Sequence, residues 1–386
     1  MRVSVLLATL PLALAAPQKR APLHIPRNVE LVEDKYIVKL RVPSDGDVSA
    51  TVDAAVSVIA ADADQIFETF GGFAATLTKE EIETLRSSPN VEYIEQNAVI
   101  EAYATQTGAP WGLARLSNVA PGSTTYTYDD VAGAGTCVYI VDTGIEVSHP
   151  DFEGRATWVA NLIDSDNTDG NGHGTHVAGT VGGTTYGVAK ETTLFGVKVL
   201  NAAGSGTTAS VVGGMDFVVS DGPSRASQCP RGIAVNMSLG GSFSAAINAA
   251  AANVVSAGYF LAVAAGNGDK FGRPQDSASF SPASEPTVCT VGATDINDSV
   301  ASFSNYGSLL DVYAPGVAVL STWIGGTTRS ISGTSMASPH IAGLGAYFMS
   351  LGAAGATTMC EYIRSQALSG VISGVRAGTA NLLAQN

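Results

Sequence analysis

The sequence predicts an α/β fold: a doubly wound, mainly parallel sheet with helices on both faces, preceded by a small α+β domain. Three observations carry the prediction. From about residue 104 onward, continuous Val/Ile/Ala runs alternate with small-residue helical stretches, the pattern of strands covered on both faces and joined by crossover helices. Between residues 35 and 97 the chain is instead charged, free of cysteine and ordered β-α-β-β-α-β. Ahead of both lies a short apolar segment at the N-terminus.

That segment, "MRVSVLLATLPLALAAPQKR", has Arg2 before an apolar run from Val3 to Leu14, then small residues at Ala15 and Ala16. It reads as a secretory signal peptide, residues 1–15, and is too short to span a bilayer. The product is expected to be secreted and extracellular, with no membrane partner, because no later stretch has eighteen uninterrupted apolar residues. Residues 17–33, with Pro17, Pro22, Pro26 and the dibasic Lys19-Arg20, read as an extended leader. "KYIVKL" (35–40) is a strand, "VDAAVSVIAADA" (52–63) has helical spacing, and "QIFETF" and "GFAATL" are strands around Gly71-Gly72. "TKEEIETLRSS" opens with Thr78 and Glu81 spaced as a capping box, and "VEYIEQ" (91–96) closes the unit. The order is that of a ferredoxin-like core over about 35–97. A domain boundary follows within residues 97–110, where both charge and pattern change.

In the second domain the strands are "TCVYIVDTG" (136–144), "LFGVKVL" (194–200), "GIAVNMSLGG" (232–241), "GYFLAVAAGN" (258–267) and "TVCTVGAT" (287–294), with "SAAINAAAANVVSAG" (244–258) as a helix. The active crevice of such a sheet lies beyond the carboxyl ends of its strands. The polar residues closing the apolar runs are therefore candidates: Asp142, Ser238 and Asn267.

The formal net charge of −14 argues against a nucleic-acid partner, since phosphate binding needs a basic footprint. The four cysteines, Cys137, Cys229, Cys289 and Cys360, suit two disulfides in an exported protein, with three connectivities open. They form no CxxC pair or Cys/His cluster of the kind that holds structural zinc.

Three segments carry chemistry. "VDTGI" puts Asp142 at a strand end before a glycine turn. An aspartic protease would need a second Asp-Thr-Gly, and "ATDIN" (293–297) lacks it. "DGNGHGTHVAGTVGG" (169–183) places His173 where a glycine-rich loop enters a helix, the setting of a general base, with His176 as a structural helix residue. "ISGTSMASPH" (331–340) turns at Gly333 into a helix striped by Ile341, Leu344, Gly345, Phe348 and Leu351. Ser335, expected at the first helical position, faces unpaired backbone N–H groups where a developing oxyanion is stabilised. Pro339 cannot donate back to the Ser335 carbonyl. Asn236-Met237-Ser238 and Asn297-Asp298-Ser299 match the glycosylation sequon; the first lies in a strand and should be silent, the second on a loop.

The chain order Asp142, His173, Ser335 differs from that of the α/β-hydrolases, whose GxSxG is also missing. "VDTGI", "GHGTHVAGT" and "GTSMASPH" resemble the three signature segments of the subtilisin-like serine proteases. "APWGLARLS", "SPASEPTVCTVGA" and "LSTWIGGTTRSISGTSMASPH" are similar to the secreted fungal proteinase K subfamily. The resemblance implies a signal peptide (1–15), an inhibitory propeptide (16–103) and a subtilisin-like catalytic domain (104–386). It implies Ser335 as nucleophile, His173 as base, Asp142 as its orienting acid, and Asn267 as oxyanion donor. Peptide strands would pair with Gly204-Ser205-Gly206 and Ser238-Leu239-Gly240, and the pocket before the scissile bond would be walled by Ser238–Gly240 and Ala264-Ala265-Gly266. Backbone pairing predicts broad specificity, and the small apolar walls without a buried acid predict a preference for aromatic or large aliphatic side chains. The resemblance further implies the pairings Cys137–Cys229 and Cys289–Cys360, and structural Ca²⁺ held by the Pro286 and Val288 carbonyls and the Asp311 carboxylate. A second family calcium site has Val119 and Val371 in place of its Thr and Asp ligands. The expected partners are protein and peptide substrates and the chain's own propeptide, for a monomeric enzyme that processes itself after Tyr103.

Overall fold

The computed structural model describes residues 20–26, 31–41, 48–60, 62–99 and 103–386. The signal-peptide assignment falls outside them. The chain divides into two compact units, Met1–Ile100 and Glu101–Asn386.

The first unit contains β1 (Leu23–His24), β2 (Leu31–Leu40), α1 (Val48–Val56), β3 (Gln65–Phe67), β4 (Gly72–Thr76), α2 (Lys79–Arg86) and β5 (Val91–Ala98). Its sheet has the order β1-β5-β2-β4-β3. Val38 lies opposite both Phe73 and Ile94, and all three are buried with Val52, Ile82 and Leu85 of the helices. The capping box forms: Thr78 N and Oγ1 each donate to Glu81 Oε2 at 2.8 Å, and Glu81 N donates to Thr78 Oγ1 at 3.3 Å. The helical pattern read over 52–63 is realised earlier, as α1, and stops at Val56. Ala60 N–H, which a continuing helix would direct at Val56, donates to Glu81 Oε1 at 2.6 Å instead.

The second unit runs β6 (Tyr103–Thr107), α3 (Trp111–Leu116), β7 (Thr125–Asp129), β8 (Thr136–Asp142), β9 (Ala156–Asn161), α4 (His173–Gly182), β10 (Thr193–Lys198), α5 (Thr208–Asp221), β11 (Gly232–Met237), β12 (Gly241–Ser242), α6 (Ala245–Ser256) and β13 (Phe260–Ala264). It continues β14 (Phe280–Ser281), β15 (Cys289–Thr294), β16 (Val312–Pro315), β17 (Val319–Trp323), β18 (Thr327–Ile331), α7 (Thr334–Ser350), α8 (Met359–Gln366), β19 (Leu368–Ser369) and β20 (Leu382–Leu383). Nine strands form the main sheet in the order β19-β20-β16-β15-β13-β11-β8-β10-β9. All neighbours are parallel except the edge pair β19–β20. After β8 the chain builds β9 and β10 on one side, then β11 onward on the other. The winding therefore reverses beside β8, and a crevice opens at its carboxyl end.

β8 shows why its apolar run is unbroken: all seven residues are buried. Val138 and Ile140 join Val177 and Val181 of α4 and Ala337, Ile341 and Leu344 of α7. Tyr139 and Val141 point the other way, to Val211, Met215 and Val218 of α5 and Ile247, Ala251 and Val254 of α6. Each such fully buried side chain contributes about 1.5–3 kcal/mol. Cys137 is bonded to Cys229 and Cys289 to Cys360, over sequence separations of 92 and 71 residues. Chain-entropy arguments give about 4–5 kcal/mol for loops of this length. Among the described residues no helix is long and apolar enough to cross a membrane.

Candidate active site

Asp142 is the last residue of β8 and is fully buried. Its Oδ1 accepts from Thr143 N at 2.7 Å and lies 2.7 Å from His173 Nδ1. Its Oδ2 is buried with no hydrogen-bond partner in the protein. The imidazole N–H is therefore the main compensation for this charge, which favours the Nδ1–H tautomer and leaves Nε2 as the basic atom.

His173 is the first residue of α4, as the glycine-rich loop predicted. Gly172 has φ +97°, and a Cβ there would stand 2.5 Å from the Trp323 ring. A Cβ on Gly174 would stand 2.1 Å from the Gly144 carbonyl, so the helix start and the turn after Asp142 touch backbone to backbone. Burial alone would lower the His173 pKa. The Asp142 charge, its hydrogen bond and the charge of Asp169 outweigh burial, and the imidazole is raised above its usual value.

Asp169 was not anticipated. Its carboxylate is 6% exposed. Oδ1 accepts from Thr143 Oγ1, Asn171 N and Gly172 N at 2.8, 3.1 and 2.8 Å. Oδ2 accepts from Thr175 N and Oγ1 at 2.9 and 2.6 Å. The available signal was an Asp shortly before a glycine turn that opens a helix, a position where carboxylates commonly satisfy free N–H groups.

Ser335 is the second residue of α7, not the first, because Thr334 already has helical geometry after the N-cap Gly333. Its hydroxyl donates to the Ser238 carbonyl at 3.0 Å, and no hydrogen bond joins it to His173. The carbonyl that Pro339 leaves without a helical donor is taken by Ser238 Oγ, at 2.7 Å. Ser238 Oγ in turn accepts from Asn236 Nδ2 at 2.9 Å, and Asn236 Oδ1 accepts from Ser338 Oγ at 2.8 Å. This chain fixes the backbone of Ser335 to β11. Asn236 itself is fully buried in β11.

Asn267 follows the end of β13. Its Oδ1 accepts from Thr334 N at 2.8 Å and Thr334 Oγ1 at 3.0 Å, which fixes the amide and turns Nδ2 outward. A point one Cβ bond out from Gly333 lies 3.5 Å from both Asn267 Nδ2 and Ser335 N. The side-chain amide of Asn267 and the backbone nitrogen of Ser335 thus lie close together beside Gly333.

His173, Asn267 and Ser335 line a cavity of about 950 Å³ together with Gly204–Gly206, Ser238–Gly240, Ala264 and Gly266. Its apolar wall includes Val211, Ile247, Phe280 and Ala283, and no Asp, Glu, Lys or Arg lines it. Ala265 is a correction: it is fully buried in a separate cluster with Leu310, Tyr313, Ile372 and Leu383. Strand alternation carries past the end of β13, so Ala264 and Gly266 face the cavity and the residue between them faces away.

The neighbouring histidines are spent elsewhere. His176 Nε2 lies 3.0 Å from each of the Val319 and Arg329 carbonyls, and His340 Nδ1 lies 2.8 Å from the Met336 carbonyl. Asp311, just before β16, accepts from Thr290 N at 2.9 Å and lies 3.5 Å from Arg364 Nη1. Burial raises its pKa, offset only in part by that N–H and by Arg364. Val288 is buried and Pro286 exposed in the adjoining segment.

Fold and site together define a class. A model of the Subtilase family matches residues 133–370, and the chain belongs to that family; it is a serine endopeptidase. A model of Peptidase inhibitor I9 matches residues 35–103, the N-terminal propeptide domain. The chain is 53% identical to Proteinase R of Parengyodontium album over 395 residues, covering 100% of this chain and 99% of that one. It is 52% identical to the Cuticle-degrading protease of Metarhizium anisopliae, covering 100% of both. Among solved structures it is similar to a cold adapted subtilisin-like serine proteinase, with 38% identity and a TM-score of 0.66, covering 72% of this chain and 98% of that one.

Proposed function

We propose that Ser335, His173 and Asp142 form the catalytic triad of a secreted, self-processed endopeptidase, with Asn267 and Ser335 N as oxyanion donors. The observation that carries this reading is the 2.7 Å Asp142–His173 pair, whose imidazole lines one cavity with Ser335 and Asn267. Rotation about the Cα–Cβ bond turns the Ser335 hydroxyl from the Ser238 carbonyl toward His173 Nε2. As Oγ bonds to the substrate carbonyl carbon, the imidazole takes its proton, and Asp142 stabilises the imidazolium. His173 then protonates the departing amine as the C–N bond breaks, and water reverses these steps on the acyl-enzyme.

The segments 204–206 and 238–240 would bind an extended peptide through its backbone. An apolar wall without an acid favours aromatic or large aliphatic residues before the scissile bond. Tyr103 meets that preference, which supports a propeptide of 16–103 and a catalytic domain of 104–386. In the structure Tyr103 and Ala104 pair with Asp129 and Tyr128, so cleavage between them requires β6 to leave that ladder.

A serine-directed reagent such as phenylmethanesulfonyl fluoride, followed by peptide mapping, tests the reading. The modification is expected on Ser335, and on any other residue it would overturn the assignment.

The residues near Asp311 fit a structural Ca²⁺. Asp311 is a desolvated carboxylate, a hard oxygen donor of the kind calcium takes. Asp311 with the Pro286 and Val288 carbonyls would hold the ion, which would supply charge neutralisation and cross-link the segment before β15 to the one before β16. Chelation is expected to lower the unfolding midpoint by about 5 °C or more. Asp311→Asn should abolish the chelator effect; an equal effect in both proteins would sink this site.

A further inference from the structure

We infer that Asp169 is a positioning residue for the reaction, a buried carboxylate that locks the turn after Asp142 to the turn before His173 and adds a second negative charge behind the imidazole. The inference rests on the reading of His173 as the general base.

The geometry is that of a clamp. Thr143 is covalently next to Asp142, and its Oγ1 donates to Asp169 Oδ1 at 2.8 Å while accepting from Gly174 N at 2.9 Å. The same Oδ1 accepts from the N–H groups of Asn171 and Gly172, the two residues before His173. Oδ2 holds Thr175 by both its N–H and its hydroxyl. One carboxylate thereby fixes residues on both sides of the base and the residue beside the acid. Three of the five donors are backbone N–H groups around the start of α4, where negative charge is favoured.

Five donors exceed what loop closure requires, and none is a cation. The carboxylate is held by hydrogen bonds alone, and its charge is among the causes that raise the His173 pKa. The other titratable groups facing His173 are Asp142 at the end of β8 and His176 one turn along α4, which has Arg329 of β18 beyond it. Lys198, at the end of β10, is turned away to the Asp164 carboxylate and the Asp166 and Thr168 carbonyls.

Two variants separate clamp from charge. Asp169→Asn keeps the size but removes the charge and leaves the Thr175 donors facing an amide. Thr143→Val removes the bridging hydroxyl and keeps the charge. The readout is the rate of phenylmethanesulfonyl fluoride modification of Ser335 as a function of pH, per folded molecule, in the secreted enzyme. Asp169→Asn is expected to slow modification by about 10- to 100-fold and to move the acid limb of the profile to lower pH. Thr143→Val is expected to slow it by about tenfold with the limb unmoved. A purely structural Asp169 would leave the limb in place, and that result overturns the inference. If Asp169→Asn does not fold, a wild-type rate in Thr143→Val overturns the clamp. If the wild-type enzyme itself is not modified at Ser335, the underlying triad reading fails instead.

Discussion

Replacing Ser335 with alanine is expected to lower kcat by about 10⁶-fold and to leave the chain unprocessed at the Tyr103–Ala104 bond. The size of the first effect is the loss known for the nucleophile of subtilisin itself, not a value obtained from this chain. The structural reasons for expecting it here are local. The hydroxyl makes one hydrogen bond, to the Ser238 carbonyl, and fills little volume, so its removal should leave the fold intact. The bond from Ser238 Oγ to the Ser335 carbonyl uses only backbone at residue 335 and survives the change. The proposed oxyanion donors, Asn267 Nδ2 and Ser335 N, also survive, so residual catalysis over water should persist while substrate binding changes little. Intact-mass analysis of the variant, made in a host without compensating proteases, reads the second effect. A product beginning at Ala104 would show that processing does not depend on this serine.

Acidification from pH 7.5 to 4.5 is expected to cost the catalytic unit about 2–3 kcal/mol for each of two histidines, His176 and His340. Both are essentially inaccessible, at 0% and 1% exposure. His176 Nε2 faces two carbonyls and must carry the hydrogen, which leaves a bare, buried Nδ1 without a partner. His340 Nδ1 faces the Met336 carbonyl, and its Nε2 faces the space beside Gly112, where even a Cβ would stand 2.8 Å away. A second proton on either ring would be a buried charge with no acceptor. Burial accordingly pushes both down to about 4, and the charge of His176 adds to the effect on His340. Their folded pKa lies below the unfolded value of 6.5, so the unfolded chain binds protons first. Stability is complete above 6.5 and falls as the pH drops from 6.5 through 4. His173 works in the opposite sense, since its raised pKa contributes stability that is lost as the pH rises through it. Denaturant titration of the mature enzyme blocked with phenylmethanesulfonyl fluoride, which cannot digest itself, measures the balance. A total loss under about 1 kcal/mol would sink the prediction. His340→Gln should flatten the slope by one group's share.

Much of this site was legible in the sequence because its parts are local. The run ending in Asp142, the glycine-rich approach to His173 and the turn into the Ser335 helix each announce themselves within ten residues. The reading of His176 as a structural helix residue followed from the same segment as His173. Other features depend on side chains meeting backbone far away. Nothing near Asp169 reveals that it bonds Thr143, and nothing near Ala60 reveals that Glu81 takes its N–H and ends α1 early. Ala265 was misplaced because three consecutive residues were read as one wall, although alternation turns the middle one inward. The orientation of the Ser335 hydroxyl is a rotamer choice, which sequence does not encode.

Pro339 is usually counted as a defect in a helix. Here the carbonyl it exposes serves as a dock for Ser238, and Ser238 belongs to the segment on which a peptide would lie. The proposed rail for the substrate and the proposed nucleophile are thereby joined by one hydrogen bond, 97 residues apart in sequence. Under the proposed roles, their alignment would be set by this one joint and not by an accumulation of errors across β11, β13 and α7. A residue able to donate at position 339 would compete for that joint and let the two drift apart.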